Sequence, residues 1–171
     1  MSYGHTVRVY WEDTDAGGIV FYANYLKFFE RARTEWLRSL GISQQKIKNE
    51  LGEMFVVSET HMKYHAPAVL DDSLEIHTLI LERGRSSLTL DQKAFLKPPQ
   101  TSTRFIGNEL TPGAFGSIEN YNNDALKNST KAPSFAGKEL KLLCSGTIRI
   151  GWINVQSGRP TRIPSLILEK L

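Results

Sequence analysis

The sequence predicts an α+β fold in which an antiparallel β-sheet wraps one long central helix. Three observations predict it. Residues 24–40 repeat with helical spacing and carry one strongly apolar face. Several segments on both sides of that helix alternate polar and apolar residues with period two, as half-buried strands do. The order of elements is strand, long helix, then strands, joined by turn-forming clusters such as Asp71-Asp72 and Ser157-Gly158.

The elements follow in order. Val7, Val9 and Trp11 alternate with Thr6, Arg8 and Tyr10, which predicts a first strand running to Trp11. Glu12 to Asp15 breaks the alternation with an acidic turn, and Gly17-Gly18 follows it. In the long helix Leu26, Phe29, Trp36 and Leu40 share a broad apolar face, with Phe28 and Ala32 beside it. Gly41 is a natural stop, and Ile42 supplies the apolar contact that accompanies such caps. Ser43 caps a short second helix through Ile47 and Leu51. Long strands are expected over Met54–Tyr64, Leu74–Glu82, Leu88–Leu96 and Leu140–Val155, with Pro67 ending the first of them. Arg159 to Ile163 returns as an edge segment, Pro164 halts it, and Ser165 caps a terminal helical turn. Between about 98 and 138 periodicity is lost and Pro, Gly, Asn, Ser and Thr accumulate. That segment is expected to be an insertion in a single domain spanning 1–171.

Composition excludes several function classes. A net charge of +3 spread over the chain does not argue for nucleic acid. No apolar run approaches the ~20 residues of a spanning helix, and Met1-Ser2-Tyr3-Gly4-His5 lacks the pattern of a secretory signal. One cysteine, Cys144, forms no disulfide within the chain, which suits a reducing, cytoplasmic setting; inside Leu142-Leu143-Cys144-Ser145-Gly146 it reads as a packed thiol. The four histidines, His5, His61, His65 and His77, show no metal-ligand spacing, so no metal site is expected.

The chemistry concentrates where the first strand meets the helix. Asp15 stands a few residues before the first helical turn, whose N–H groups lack partners inside the helix and carry partial positive charge. Cleavage of an acyl bond needs both parts, a base or nucleophile and donors for the developing oxyanion. A local turn with Asp13 or Asp15 bonding its own backbone is the plainer reading of the same residues. A second donor-rich turn, Arg83-Gly84-Arg85-Ser86-Ser87, has the forked guanidinium and hydroxyl donors that suit phosphates, and is equally a common solvated hairpin.

The whole string decides between these readings. Glu12-Asp13-Thr14-Asp15-Ala16-Gly17-Gly18-Ile19-Val20-Phe21, then Asn24-Tyr25-Leu26 and Glu30-Arg31-Ala32-Arg33-Thr34-Glu35, resembles the YbgC-type (Tol–Pal-associated) acyl-CoA thioesterases, relatives of 4-hydroxybenzoyl-CoA thioesterase with the hotdog fold. The resemblance implies a cofactor-free acyl-CoA thioesterase. Asp15 would be its catalytic carboxylate, the Tyr22 backbone N–H its oxyanion donor, and Glu30 a further acidic residue of the site. It also implies Arg85 and Ser86 as contacts to the nucleotide of coenzyme A. Many relatives carry His at the position of Tyr22, a change that a backbone donor survives. Further implied are a homo-oligomer, dimer or dimer of dimers (a homotetramer), and an association with acyl carrier protein or the Tol–Pal system. A lone sheet with open edges independently favours pairing. Two other readings compete. An acyl-thioester dehydratase or hydratase of the same fold needs a catalytic His on or facing the helix. A non-catalytic acyl-CoA-binding module predicts binding without thiol release.

Overall fold

The computed structural model describes residues 2–98, 134–135 and 138–171. Strand β1 (Tyr3–Arg8) leads through a 3-10 turn, Trp11–Asp13, to the long helix α1 (Asn24–Ser39) and the short helix α2 (Gln44–Leu51). Strands β2 (Glu53–Tyr64), β3 (Ser73–Arg83) and β4 (Ser87–Leu96) follow. A two-residue pair, β5 (Ser134–Phe135) and β6 (Lys138–Glu139), precedes the last long strand, β7 (Lys141–Asn154), and the helical turn α3 (Ser165–Leu168). The main sheet has five antiparallel strands in the order β1-β3-β4-β7-β2. The insertion expected at about 98–138 falls almost wholly outside the described residues. Among the described residues no helix is long and apolar enough to cross a membrane.

The sheet presents alternate residues to α1. Leu74, Ile76 and Thr78 of β3, Leu88, Leu90 and Gln92 of β4, and Ile148, Ile150 and Trp152 of β7 are buried, as period two requires of a face covered by a helix. From α1 come Tyr25, Phe28, Phe29, Ala32, Trp36 and Leu37. The helix is rotated from its expected setting: Leu26 is 40% exposed, whereas Tyr25 and Leu37 are buried. Helix α1 stops at Gly41, with the Ile42 N–H donating to Leu37 O at 2.9 Å and the Ile42 side chain buried. The Ser43 side chain accepts from the Lys46 N–H at the start of α2.

Two local expectations are corrected. The first strand ends at Arg8, not Trp11. The Asp13 carboxylate takes the Tyr10 N–H at 2.9 Å, so a side chain claims the donor that another ladder rung would need. Trp11 then stands 79% exposed. At the other end Ser165 does not cap α3; Pro164 occupies the cap position, without a side-chain cap bond. The segment 159–163 does return along the sheet: it bridges Ile153 at Pro160, Arg159 O accepts the Asn154 N–H at 3.0 Å, and the Thr161 N–H donates to Trp152 O at 2.9 Å.

The sheet face away from α1 carries His77, Lys93, Ser145 and Lys63 in one cross-strand row. Burial pushes the His65 and His77 imidazoles below their ordinary value. Lys63 and Lys93 act in the same sense on His65, and at His77 Glu75 opposes while Lys93 adds. The folded chain therefore favours neutral imidazole. As pH falls below the ordinary ~6.5 the unfolded chain binds protons first. This contribution is complete above ~6.5 and is lost as pH falls through the folded values. A lower urea midpoint is expected at about pH 5.5, roughly one unit below the ordinary value, than at about pH 7.5, roughly one unit above it. A His65→Gln/His77→Gln variant should show a smaller drop; an equal drop in both proteins would remove these two groups as its cause.

Candidate active site

The acidic loop is closed at its base. Thr14 and Val20 form an antiparallel bridge, the Asp15 N–H donates to Ile19 O at 2.9 Å, and the Gly18 N–H donates to Asp15 O at 3.0 Å. Gly18 has φ +75°, a conformation that side chains rarely adopt. The Asp15 side chain lies exposed at the loop tip, and its Oδ1 accepts the Gly17 N–H at 2.8 Å. Its Oδ2 makes no hydrogen bond among the described residues, so one lobe of the carboxylate is oriented and the other is free.

Two residues lock this loop to the start of α1. The Asp13 carbonyl accepts both the Phe21 N–H at 2.9 Å and the Asn24 Nδ2 at 3.0 Å. Asn24 also reaches Glu12 O at 3.4 Å. Both Asp13 and Asn24 are buried. The Asp13 Oδ1 is buried without a partner among the described residues. Sequence reasoning left Asp13 as an ordinary turn residue and gave Asn24 no role. The available signal was Asn at a helix start, where its amide competes for local backbone groups.

Tyr22 follows the bridge directly, in the turn before α1. Its N–H has no hydrogen-bond acceptor among the described residues. Its carbonyl accepts from Tyr64 Oη at 3.1 Å, which ties the helix start to the end of β2. Its ring, 61% exposed, stacks obliquely on Phe21 at 4.5 Å between centroids. Asp15 and the Tyr22 N–H thus belong to one pinned turn, with an oriented carboxylate and an uncommitted donor at a positive helix end.

The other candidate residues stand apart from this turn within one chain. Glu30 lies about 9 Å further along α1 at 1.5 Å per residue. Its Oε1 accepts from Thr34 Oγ1 at 2.7 Å, and Thr34 in turn accepts from Gln44 Nε2 at 2.9 Å. Glu30 faces a cleft of about 90 Å³ between α1 and the start of β2. Arg85 and Ser86 form the β3–β4 hairpin, where the Ser86 carbonyl accepts the Trp152 N–H at 2.8 Å and the Arg85 carbonyl accepts from Ile163. The Tyr64 end of β2 is level with Cys144, and Phe55, near its other end, is level with Trp152. Arg85 and Ser86 are therefore roughly 26 Å along the strands from the Asp15 end, at about 3.3 Å per residue. Cys144 is fully buried and burial pushes its thiol up to about 12, as its packing role requires.

The thioesterase superfamily model matches residues 17–103. An acyl-CoA thioester hydrolase, YbgC, of Escherichia coli is 52% identical over 87 residues, which span 51% of this chain and 64% of that relative. An acyl-CoA thioesterase, YbgC, of Helicobacter pylori is 30% identical over 164 residues, 96% of each chain. A crystal structure of a mutant 4-hydroxybenzoyl-CoA thioesterase complexed with 4-hydroxybenzoyl-CoA superposes with a TM-score of 0.71 at 17% identity. The superposition covers 99% of this chain and 97% of that one.

Proposed function

Because the chain belongs to the thioesterase superfamily and has its hotdog fold, we propose that it hydrolyses the thioester of an acyl-coenzyme A to free acid and CoA. The observation that carries this reading is the pinned turn that presents the Asp15 carboxylate beside a helix start whose Tyr22 N–H is uncommitted. Asp15 either takes a proton from the attacking water or attacks the thioester carbonyl itself, in which case water then opens the resulting anhydride and restores Asp15. The carbonyl oxygen gains negative charge and rests against the Tyr22 N–H and the positive end of α1. The tetrahedral adduct collapses, the carbon–sulfur bond breaks, and the thiol of CoA leaves after protonation. Glu30 lies too far along α1 to touch the same atom in one chain, so its part is at the acyl end or in a neighbouring copy.

Oligomerisation is part of the proposal. A drug-sized ligand occupies ~300–1,000 Å³, and the α1–β2 cleft offers about 90 Å³. Strand β2 is a sheet edge with Val57 and Tyr64 about half exposed. Pairing that edge with a second copy hides it and encloses the cleft. It also lets the Arg85 and Ser86 donors of one copy hold the CoA nucleotide while Asp15 of another works on the thioester. The dehydratase reading is weaker, since α1 contains no His and His65 Nε2 is engaged with Ser145 Oγ at 2.9 Å.

The test is thiol release from a panel of acyl-CoAs: short aliphatic, long aliphatic and benzoyl. Release from at least one of them is expected. Saturable binding with no release from any would put the binding module ahead.

A further inference from the structure

Beneath α1 lies a buried polar set that the proposed hydrolysis does not use. Gln92 is fully buried and Thr78 nearly so. The Gln92 Nε2 donates to Phe29 O at 3.0 Å and to Thr78 Oγ1 at 2.8 Å. Both amide hydrogens are then committed, and Oε1 is left to accept. Arg33 Nη1 donates to it at 2.7 Å. A guanidinium has five N–H donors in a rigid fork and no acceptor. Among the described residues this is the one hydrogen bond that Arg33 makes, and its guanidinium has no carboxylate within ion-pair distance.

Arg33 is half-buried and lines the α1–β2 cleft with Glu30, Leu37, Phe55, Val57 and Ile150. The walls are mainly apolar, so a fixed cation facing them bears a desolvation cost that an acceptor would offset. Burial accordingly draws the guanidinium below its ordinary value, against the raising effect of Glu30.

The cleft and the candidate site lie along the same helix and the same strand. Ala23, Leu26, Glu30, Arg33 and Leu37 recur at three- and four-residue spacing along one stripe of α1. Strand β2 runs beside it: Tyr64 bonds the Tyr22 carbonyl at one end, and Val57 and Phe55 line the cleft at the other. Arg33 lies about 13 Å along the axis from Asn24, and helical side chains lean back toward the N-terminus, so its donors stand roughly 10 Å from the helix start.

We propose that Arg33 is a specificity-determining residue: its fork hydrogen-bonds an acceptor oxygen, carboxylate or carbonyl, at the far end of the acyl group. The site then prefers acyl-CoAs whose chains end in such an oxygen over plain aliphatic chains of the same length. This rests on the thioesterase reading in one respect, the placing of the thioester at the start of α1. Glu30 shares the cleft and opposes a charged guest, which keeps the preference modest.

The probes are suberoyl-CoA and octanoyl-CoA, equal in carbon number, titrated calorimetrically into the Asp15→Asn protein so that neither is consumed. Suberoyl-CoA should bind about tenfold tighter, ~1.4 kcal/mol. In Asp15→Asn/Arg33→Met the two should bind within about twofold, under 0.5 kcal/mol. Equal binding in the parent, or a preference that survives Arg33→Met, overturns the proposal. Arg33→Met leaves the Gln92 Oε1 without its donor and can lower stability. Arg33→Lys keeps a donor for Gln92 but loses the fork, and it too should lose most of the preference; full preference in that variant is also contrary. Thiol release by the otherwise unaltered protein is scored separately. A preference in binding without any release upholds Arg33 and removes the thioesterase reading instead.

Discussion

Asp15→Asn is expected to lower acyl-CoA turnover by about a hundred- to ten-thousand-fold, the usual range for loss of a positioned base. That corresponds to roughly 3–5 kcal/mol of transition-state stabilisation. The substitution removes the negative charge and the proton acceptor while keeping an Oδ1 that still accepts the Gly17 N–H. Asp15 is exposed and forms no ion pair among the described residues, so the fold should hardly register the change, within about 0.5 kcal/mol. Substrate binding should also persist, because the thioester oxygen is held by a backbone donor and not by Asp15. The signature is therefore a fall in kcat with unfolding temperature and acyl-CoA affinity nearly unchanged. An Asn variant with near-normal turnover would sink the assignment. A variant that loses turnover and unfolding temperature together would show Asp15 to be a structural turn residue.

Phe29→Ala is expected to have the largest effect on stability, about 3–5 kcal/mol. Phe29 is fully buried, and its ring lies where α1 meets the sheet at Gly146. A Cβ at Gly146 would stand 3.1 Å from Phe29 Cε2 and 2.6 Å from Met62 Sδ, so strand and ring are packed in direct contact. The void left by alanine is bounded by β2, β7 and the buried Gln92, which bonds the Phe29 carbonyl and resists collapse. In urea the midpoint should fall with an unchanged slope, as for a loss of packing without a change of exposed surface. A cost below about 1 kcal/mol, far under the range for Phe→Ala in a core, would mean that α1 is not the packing centre.

Much of this architecture is legible in the residues, because its strands and its helix bury one face each. Strands β2, β3, β4 and β7 follow their alternation to within a few residues, and α1 stops where Gly41 and Ile42 say it should. The first strand is misjudged because periodicity reports on side chains, whereas the strand ends when a particular donor is taken. Asp13 captures the Tyr10 N–H, and alternation continuing to Trp11 carries no trace of that. The setting of α1 is misjudged at its start, where Tyr25 is buried in place of Leu26, and Leu37 joins the core beside the partly buried Leu40, because apolar residues fill more of its circumference than the sheet covers.

The site divides in the same way. Asp15 and Tyr22 are close in sequence, so one local motif positions both. Asp13 and Asn24 fasten that motif through bonds to particular backbone groups; an Asn at a helix start signals such a bond without naming the carbonyl it reaches. Arg33, Gln92 and Thr78 come from α1, β4 and β3 and meet only on folding. The separation of Arg85 and Ser86 from Asp15 follows from strand register, which composition does not encode.

The most direct test of the central claim follows two signals at once from the wild-type protein and a panel of enoyl-CoAs: appearance of free thiol and loss of the conjugated double bond. Hydrolysis at Asp15 predicts thiol release with the double bond surviving in the freed acid. Loss of the double bond without thiol would contradict it and make the chain a hydratase.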